Sequence, residues 1–111
     1  MTEYELHKAV VQHVRQRGMP GLYYFHPANS GRRTMPEIMR LRAMGFRSGV
    51  PDLFFLYGGT LFGLELKTLK GKATCKQLTN IDEIKLNGGE AEITYGLEHA
   101  LASLKTWNLV K

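Results

Sequence analysis

The stretch Gly49–Lys67, GVPDLFFLYGGTLFGLELK, decides how this chain folds. Two apolar runs flank Gly58-Gly59, the pattern of two strands joined by a tight turn. Glycines suit a two-residue hairpin loop because its central positions take positive φ. Tyr57 then faces Thr60, and the same register sets Asp52 directly opposite Glu65. A four-residue loop with Leu56 facing Leu61 keeps that register; a three-residue loop breaks it. Directly opposed residues share a sheet face, with Cβ atoms about 4.5–5.5 Å apart. Leu53, Phe55, Leu64 and Leu66 point to one side, Phe54, Leu56 and Leu61 to the other. Both faces are apolar, so both are expected to be covered.

Two carboxylates so close repel, which requires either a proton on one of them or a cation between them. A hard divalent ion with oxygen ligands, Mg²⁺ or Mn²⁺, meets the second requirement. Lys67 lies two residues beyond Glu65 and hence on the same face. A cation beside two acids suits a site that holds a metal and a charged transition state. A strand-end ion pair of Lys67 with Glu65 or Asp52 is the alternative reading.

Outward from the hairpin, Thr2-Glu3-Tyr4-Glu5 fits a capping box opening a helix that runs to about Arg17 and stops at Gly18. Leu22–His26 reads as a short strand and Pro27–Gly31 as a loop. Thr34-Met35-Pro36-Glu37 opens a second helix, ending near Gly45. Thr74-Cys75-Lys76-Gln77 opens a third, to about Leu86. Ala91–Tyr95 is a strand and Leu97 to about Trp107 a last helix. The order α-β-α-β-β-α-β-α predicts an α/β fold, a mixed central sheet of about four strands flanked by helices.

The 111 residues suit one domain, residues 1–111. No apolar run is long enough to span a bilayer, and MTEYELHK lacks a signal-peptide layout. Cys75 is the single cysteine, so no internal disulfide is possible and a reduced, intracellular setting is expected. A formal charge of +5 points toward a polyanionic partner. Arg32, Arg33, Arg40, Arg42 and Arg47 cluster against the single acid Glu37. Arginine suits bidentate phosphate contact, although a solvated helix face has the same composition.

Glu3 shares the helical arc of Leu6, Val10 and Val14, so it is a third acid directed inward, or else a first-turn acid complementing the helix dipole. Gln77 is either the N3 partner of Thr74 or an amide turned to the acidic site. Lys70, Lys72 and Lys76 surround that turn, where phosphate contact is one option.

Pro51-Asp52 followed by Glu65-Leu66-Lys67 resembles the PD…ExK signature of the restriction-endonuclease-like superfamily. With Glu3, Asn29, Gly49–Leu53, Thr68 and Gln77, the chain resembles over almost its whole length the virus-type replication-repair nuclease (VRR-nuc) domain, in its stand-alone phage form. The resemblance implies a single-domain restriction-endonuclease-like core and a divalent-metal-dependent DNA endonuclease. It assigns Glu3, Asp52, Glu65, Lys67 and Gln77 to catalysis. Asp52, Glu65 and the Leu66 backbone carbonyl are the implied metal ligands, with Glu3 through water. DNA contacts fall to Asn29, the five arginines and the three lysines. Stand-alone relatives are similar to dimeric enzymes that cut four-way (Holliday) junctions, so a homodimer acting on branched DNA is expected. Trp107, Leu109 and Val110 are candidates for its interface. The rival readings are a non-catalytic DNA-binding module of the same fold and a His-based nuclease using His26 and Asn29.

Overall fold

The structure, a computed structural model, describes residues 1–28 and 33–111. Asn29 and Arg32, both expected at DNA, lie outside the described residues. The elements are α1 (Glu3–Arg17), β1 (Tyr23–Phe25), α2 (Met35–Ala43), β2 (Leu53–Tyr57), β3 (Thr60–Lys67), α3 (Cys75–Leu86), β4 (Glu90–Tyr95) and α4 (Leu97–Thr106). This is the order read from the sequence. The sheet runs β1-β2-β3-β4. The first two pairings are antiparallel and β3–β4 is parallel, as a crossover through α3 requires.

Gly58 and Gly59 take φ of +58° and +81°, so both loop positions are left-handed and the loop holds two residues. Tyr57 pairs with Thr60 and Leu53 with Leu64. The paired register ends at Leu53–Leu64; just beyond it the Asp52 carboxyl accepts the Leu66 N–H and shares a hydrogen bond with the Glu65 carboxyl.

One sheet face carries the core. Leu53, Phe55, Leu64 and Leu66 pack with Leu6, Val10 and Val14 of α1 and with Ala100 and Leu104 of α4. Their spacing on each helix follows the 3.6-residue period. Expected cover on the second face is only partial: α3 packs on β3 and β4, while Tyr23, Phe25, Leu56 and Leu61 stay exposed. Helix α2 buries no residue, so it cannot close that side. No helix among the described residues is long and apolar enough to cross a membrane.

The C-terminal residues are used within the chain rather than left for a partner. Leu109 and Val110 are buried, Val110 bridges to Gly18, and the Trp107 ring packs on Phe62 at 5.3 Å. Burial in this core removes Leu109 and Val110 from an intersubunit surface.

Candidate active site

The expected residues meet at the end of the sheet where β2 begins. Glu3, Tyr4, His7, His26, Asp52, Glu65, Leu66, Lys67 and Gln77 line one hollow of about 340 Å³. Four elements supply them: α1 through its first two turns, the end of β1, the β2–β3 hairpin, and the first turn of α3.

Asp52 is fixed from several directions. Its Oδ2 accepts the Leu66 N–H at 2.8 Å, so the carboxylate satisfies a strand donor just where β2 has run out. Upstream, buried Asn80 of α3 donates Nδ2 to the Ser48 carbonyl at 3.0 Å. Gly49 lies against α3 with φ +79°, and a Cβ there would sit 2.8 Å from Lys76 Cβ and 2.9 Å from the Lys76 carbonyl carbon. Buried Pro51 packs over Gly63, where a Cβ would come within 2.8 Å of the proline ring. The Gly49→Ala protein is therefore expected to lose about 1–3 kcal/mol, seen as a lower urea midpoint. Its side chain would force the Asp52 segment off α3.

Glu65 is 4% exposed. Its Oε2 accepts from Gln77 Nε2 at 3.1 Å and lies 3.7 Å from Lys67 Nζ. Burial, then the charge of Asp52 and a hydrogen bond with that carboxyl, pushes the Glu65 acid up to about 8, against the opposing pull of Lys67. Metal-free protein thus keeps a proton on this pair at neutral pH, as two opposed carboxyls demand.

That shift has a sign for stability. The unfolded chain ionises Glu65 near 4.5 and the folded chain only near 8, so between those values the unfolded state binds fewer protons and stability falls as pH rises. Thermal unfolding in chelator should show Tm dropping from about pH 5 to about pH 8 through this group, and the slope should flatten in Glu65→Gln. An unchanged slope would separate Glu65 from the effect.

Gln77 serves both of the roles its position allowed. Its Oε1 accepts the Thr74 N–H at 2.9 Å, closing the capping box, while Nε2 reaches Glu65. The cap therefore orients the amide that holds the acid.

The donor set suits a hard divalent ion: two carboxyls and a backbone carbonyl, all oxygen. Strand geometry directs the N–H and C=O of one residue to the same edge. Glu65 O accepts from Thr94 and Lys67 O from the Gly96 N–H, both on the β4 side. Leu66 sends its N–H toward Asp52, and so its carbonyl as well. Among the described residues no three His, Cys, Asp or Glu side chains draw together tightly enough to hold one ion. Glu3 stands at the exposed rim of the hollow rather than beside the pair.

Among the described residues the basic side chains do not form one stripe. Arg42, Arg47 and Lys76 surround a second hollow with Ser48 and Asn80, adjoining the Asp52 segment. Arg47 also pairs with Glu83 of α3. Arg33 and Arg40 are exposed. Lys70 lines a different, mainly apolar hollow with Leu6, Leu69 and Leu97, and Lys72 is exposed.

Three residues that line the hollow, Tyr4, His7 and His26, lie outside the acidic centre read from the sequence. His7 lies one turn after Glu3, a spacing that puts both on one helix face. His26 belongs to the rival reading of a His-based nuclease with Asn29; it lines the same hollow as the acids. Its ring meets that of His7 edge-on at 4.6 Å and 84°.

No family model and no curated protein matches this sequence. Among solved structures, that of a VRR_NUC domain protein superposes with a TM-score of 0.80, covering 100% of this chain and 92% of that chain at 22% identity. The likeness shows a shared fold, an α/β core with a four-stranded mixed sheet, consistent with the restriction-endonuclease-like core that the PD…ExK resemblance implies.

Proposed function

We propose that this chain is a divalent-metal-dependent DNA endonuclease that hydrolyses phosphodiester bonds, with branched DNA such as four-way junctions as substrate and a homodimer as the working form. The observation that carries the reading is the buried Glu65 carboxyl held against Asp52, with Lys67 and Gln77 on the same oxygen. The fold shared with a VRR_NUC domain protein supports it.

Asp52, Glu65 and the Leu66 carbonyl would hold Mg²⁺ or Mn²⁺, with Glu3 acting through water. The bound ion supplies Lewis acidity toward a phosphate oxygen and lowers the pKa of water. Hydrolysis adds a water oxygen to phosphorus and breaks one P–O bond; the water gives up a proton and the departing alkoxide takes one. Lys67 stabilises the negative charge that grows on the reacting phosphate. Gln77 keeps the Glu65 carboxyl turned toward Asp52. Arg42, Arg47 and Lys76 grip neighbouring phosphates, giving affinity without sequence choice.

The test is purified protein on linear, nicked, flapped and four-way DNA with Mg²⁺ or Mn²⁺. Metal-dependent products, most abundant from the four-way junction, are expected. Shifted complexes without products at any metal concentration would establish a binding module instead.

A further inference from the structure

His26 stands at a break in the hydrogen bonding around Asp52. β1 pairs with β2 through Phe25 and Phe54, and the ladder ends there. The next residue, His26, brings its ring across the gap, with Nδ1 2.6 Å from the Asp52 carbonyl oxygen. A carbonyl can only accept, so Nδ1 carries the proton. Asp52 is thus tied on both sides by groups that replace a missing strand partner. Its carbonyl takes the His26 N–H, and its carboxylate takes the Leu66 N–H. His7 of α1 meets the His26 ring edge-on. The ring borders two hollows that both contain Asp52, Glu65 and Gln77; it therefore walls the acidic pair.

We propose that His26 is a positioning residue for Asp52, fixing the peptide from which the metal-binding carboxylate projects, with His7 as the wall that fixes the ring. The inference rests on the metal-dependent reading above. Outer partners of a metal ligand orient it, and losing one typically weakens affinity or activity by about 10–100-fold. His26 acts here through a main-chain carbonyl, leaving both carboxylate oxygens to Leu66 and the ion.

The experiment is calorimetric Mn²⁺ titration of the DNA-free protein, alongside kcat and KM on cleavable DNA. It compares the parent with His26→Ala, His26→Asn, His26→Gln and Asp52→Ala, each checked for cooperative unfolding. Asparagine places an N–H close to the Nδ1 position, whereas the longer glutamine places one near Nε2. His26→Ala should weaken Mn²⁺ binding by about 10–100-fold and lower kcat with KM for DNA nearly unchanged. His26→Asn should recover most of both, and His26→Gln much less. Should the alanine variant fail to fold, the asparagine–glutamine contrast still decides.

Parental Mn²⁺ affinity in His26→Ala would overturn the proposal. So would asparagine and glutamine variants that are equally impaired. Normal Mn²⁺ binding with cleavage lost in every His26 variant would assign the ring to the chemistry itself, and also overturns it. If Asp52→Ala binds Mn²⁺ as the parent does, the metal reading fails and the positioning role falls with it. Loss of binding in Asp52→Ala beside an unaffected His26→Ala defeats the positioning role alone.

Discussion

Asp52→Ala is expected to abolish metal-dependent cleavage, by a factor on the order of 10³ or more, while DNA binding stays nearly unchanged. The carboxylate is one of two that would hold the ion, and it also caps the Leu66 N–H. Removing it opens the metal position and frees the edge of β3 together. On the proposed mechanism Lys67→Ala should lose on the order of 10²–10³-fold in kcat, because its ammonium would act on charge that appears only in the transition state. Both variants keep Arg42, Arg47 and Lys76, so gel shifts on four-way DNA should match the parent. Single-turnover cleavage beside a binding titration reads both quantities. A Lys67→Ala protein that cuts at the parental rate would show that the charge on phosphorus is stabilised elsewhere.

Phe55→Ala should produce the largest loss of stability, about 3–5 kcal/mol. The ring is fully buried between the helical layer and the sheet and stacks on Tyr24 at 6.0 Å. Against a total of about 5–15 kcal/mol for a domain, that loss is a large part of the fold. Leu56→Ala, one residue away on the opposite face, is 46% exposed and should cost less than about 1 kcal/mol. Urea midpoints of the two variants measure how unequal the sheet faces are. Similar losses would mean that the second face is covered in solution.

The fold was legible where local chemistry leaves few choices. Two glycines in a hairpin loop accept positive φ, which fixes the β2–β3 register and brings the Asp52 and Glu65 side chains to one end of the sheet. The Thr74–Gln77 spacing gave the start of α3, and the apolar period of α1 gave its buried side. The rest needed long-range packing. Gln77 could be read as a cap or as a site residue; that it is both follows from α3 lying over β3, which no local pattern states. His7 and His26 come from separate elements, and only the docking of α1 beside β1 brings their rings together. The same limit explains the C-terminus. An apolar Leu109-Val110 pair reads alike for an interface and for a core, and the Gly18–Val110 bridge decides for the core. Apolar residues on both sides of β2 and β3 suggested cover on both. Helix α2, which follows β1 in the chain, buries no residue and does not supply it.

The central claim is that Asp52 and Glu65 share one divalent ion. The most direct test is anomalous diffraction from crystals soaked in Mn²⁺ near pH 8, where the Glu65 acid is giving up its proton. A single strong peak within coordinating distance of both carboxylates and of the Leu66 carbonyl is the predicted result. A peak elsewhere, or none beside this pair in protein that cleaves DNA with Mn²⁺, would contradict it.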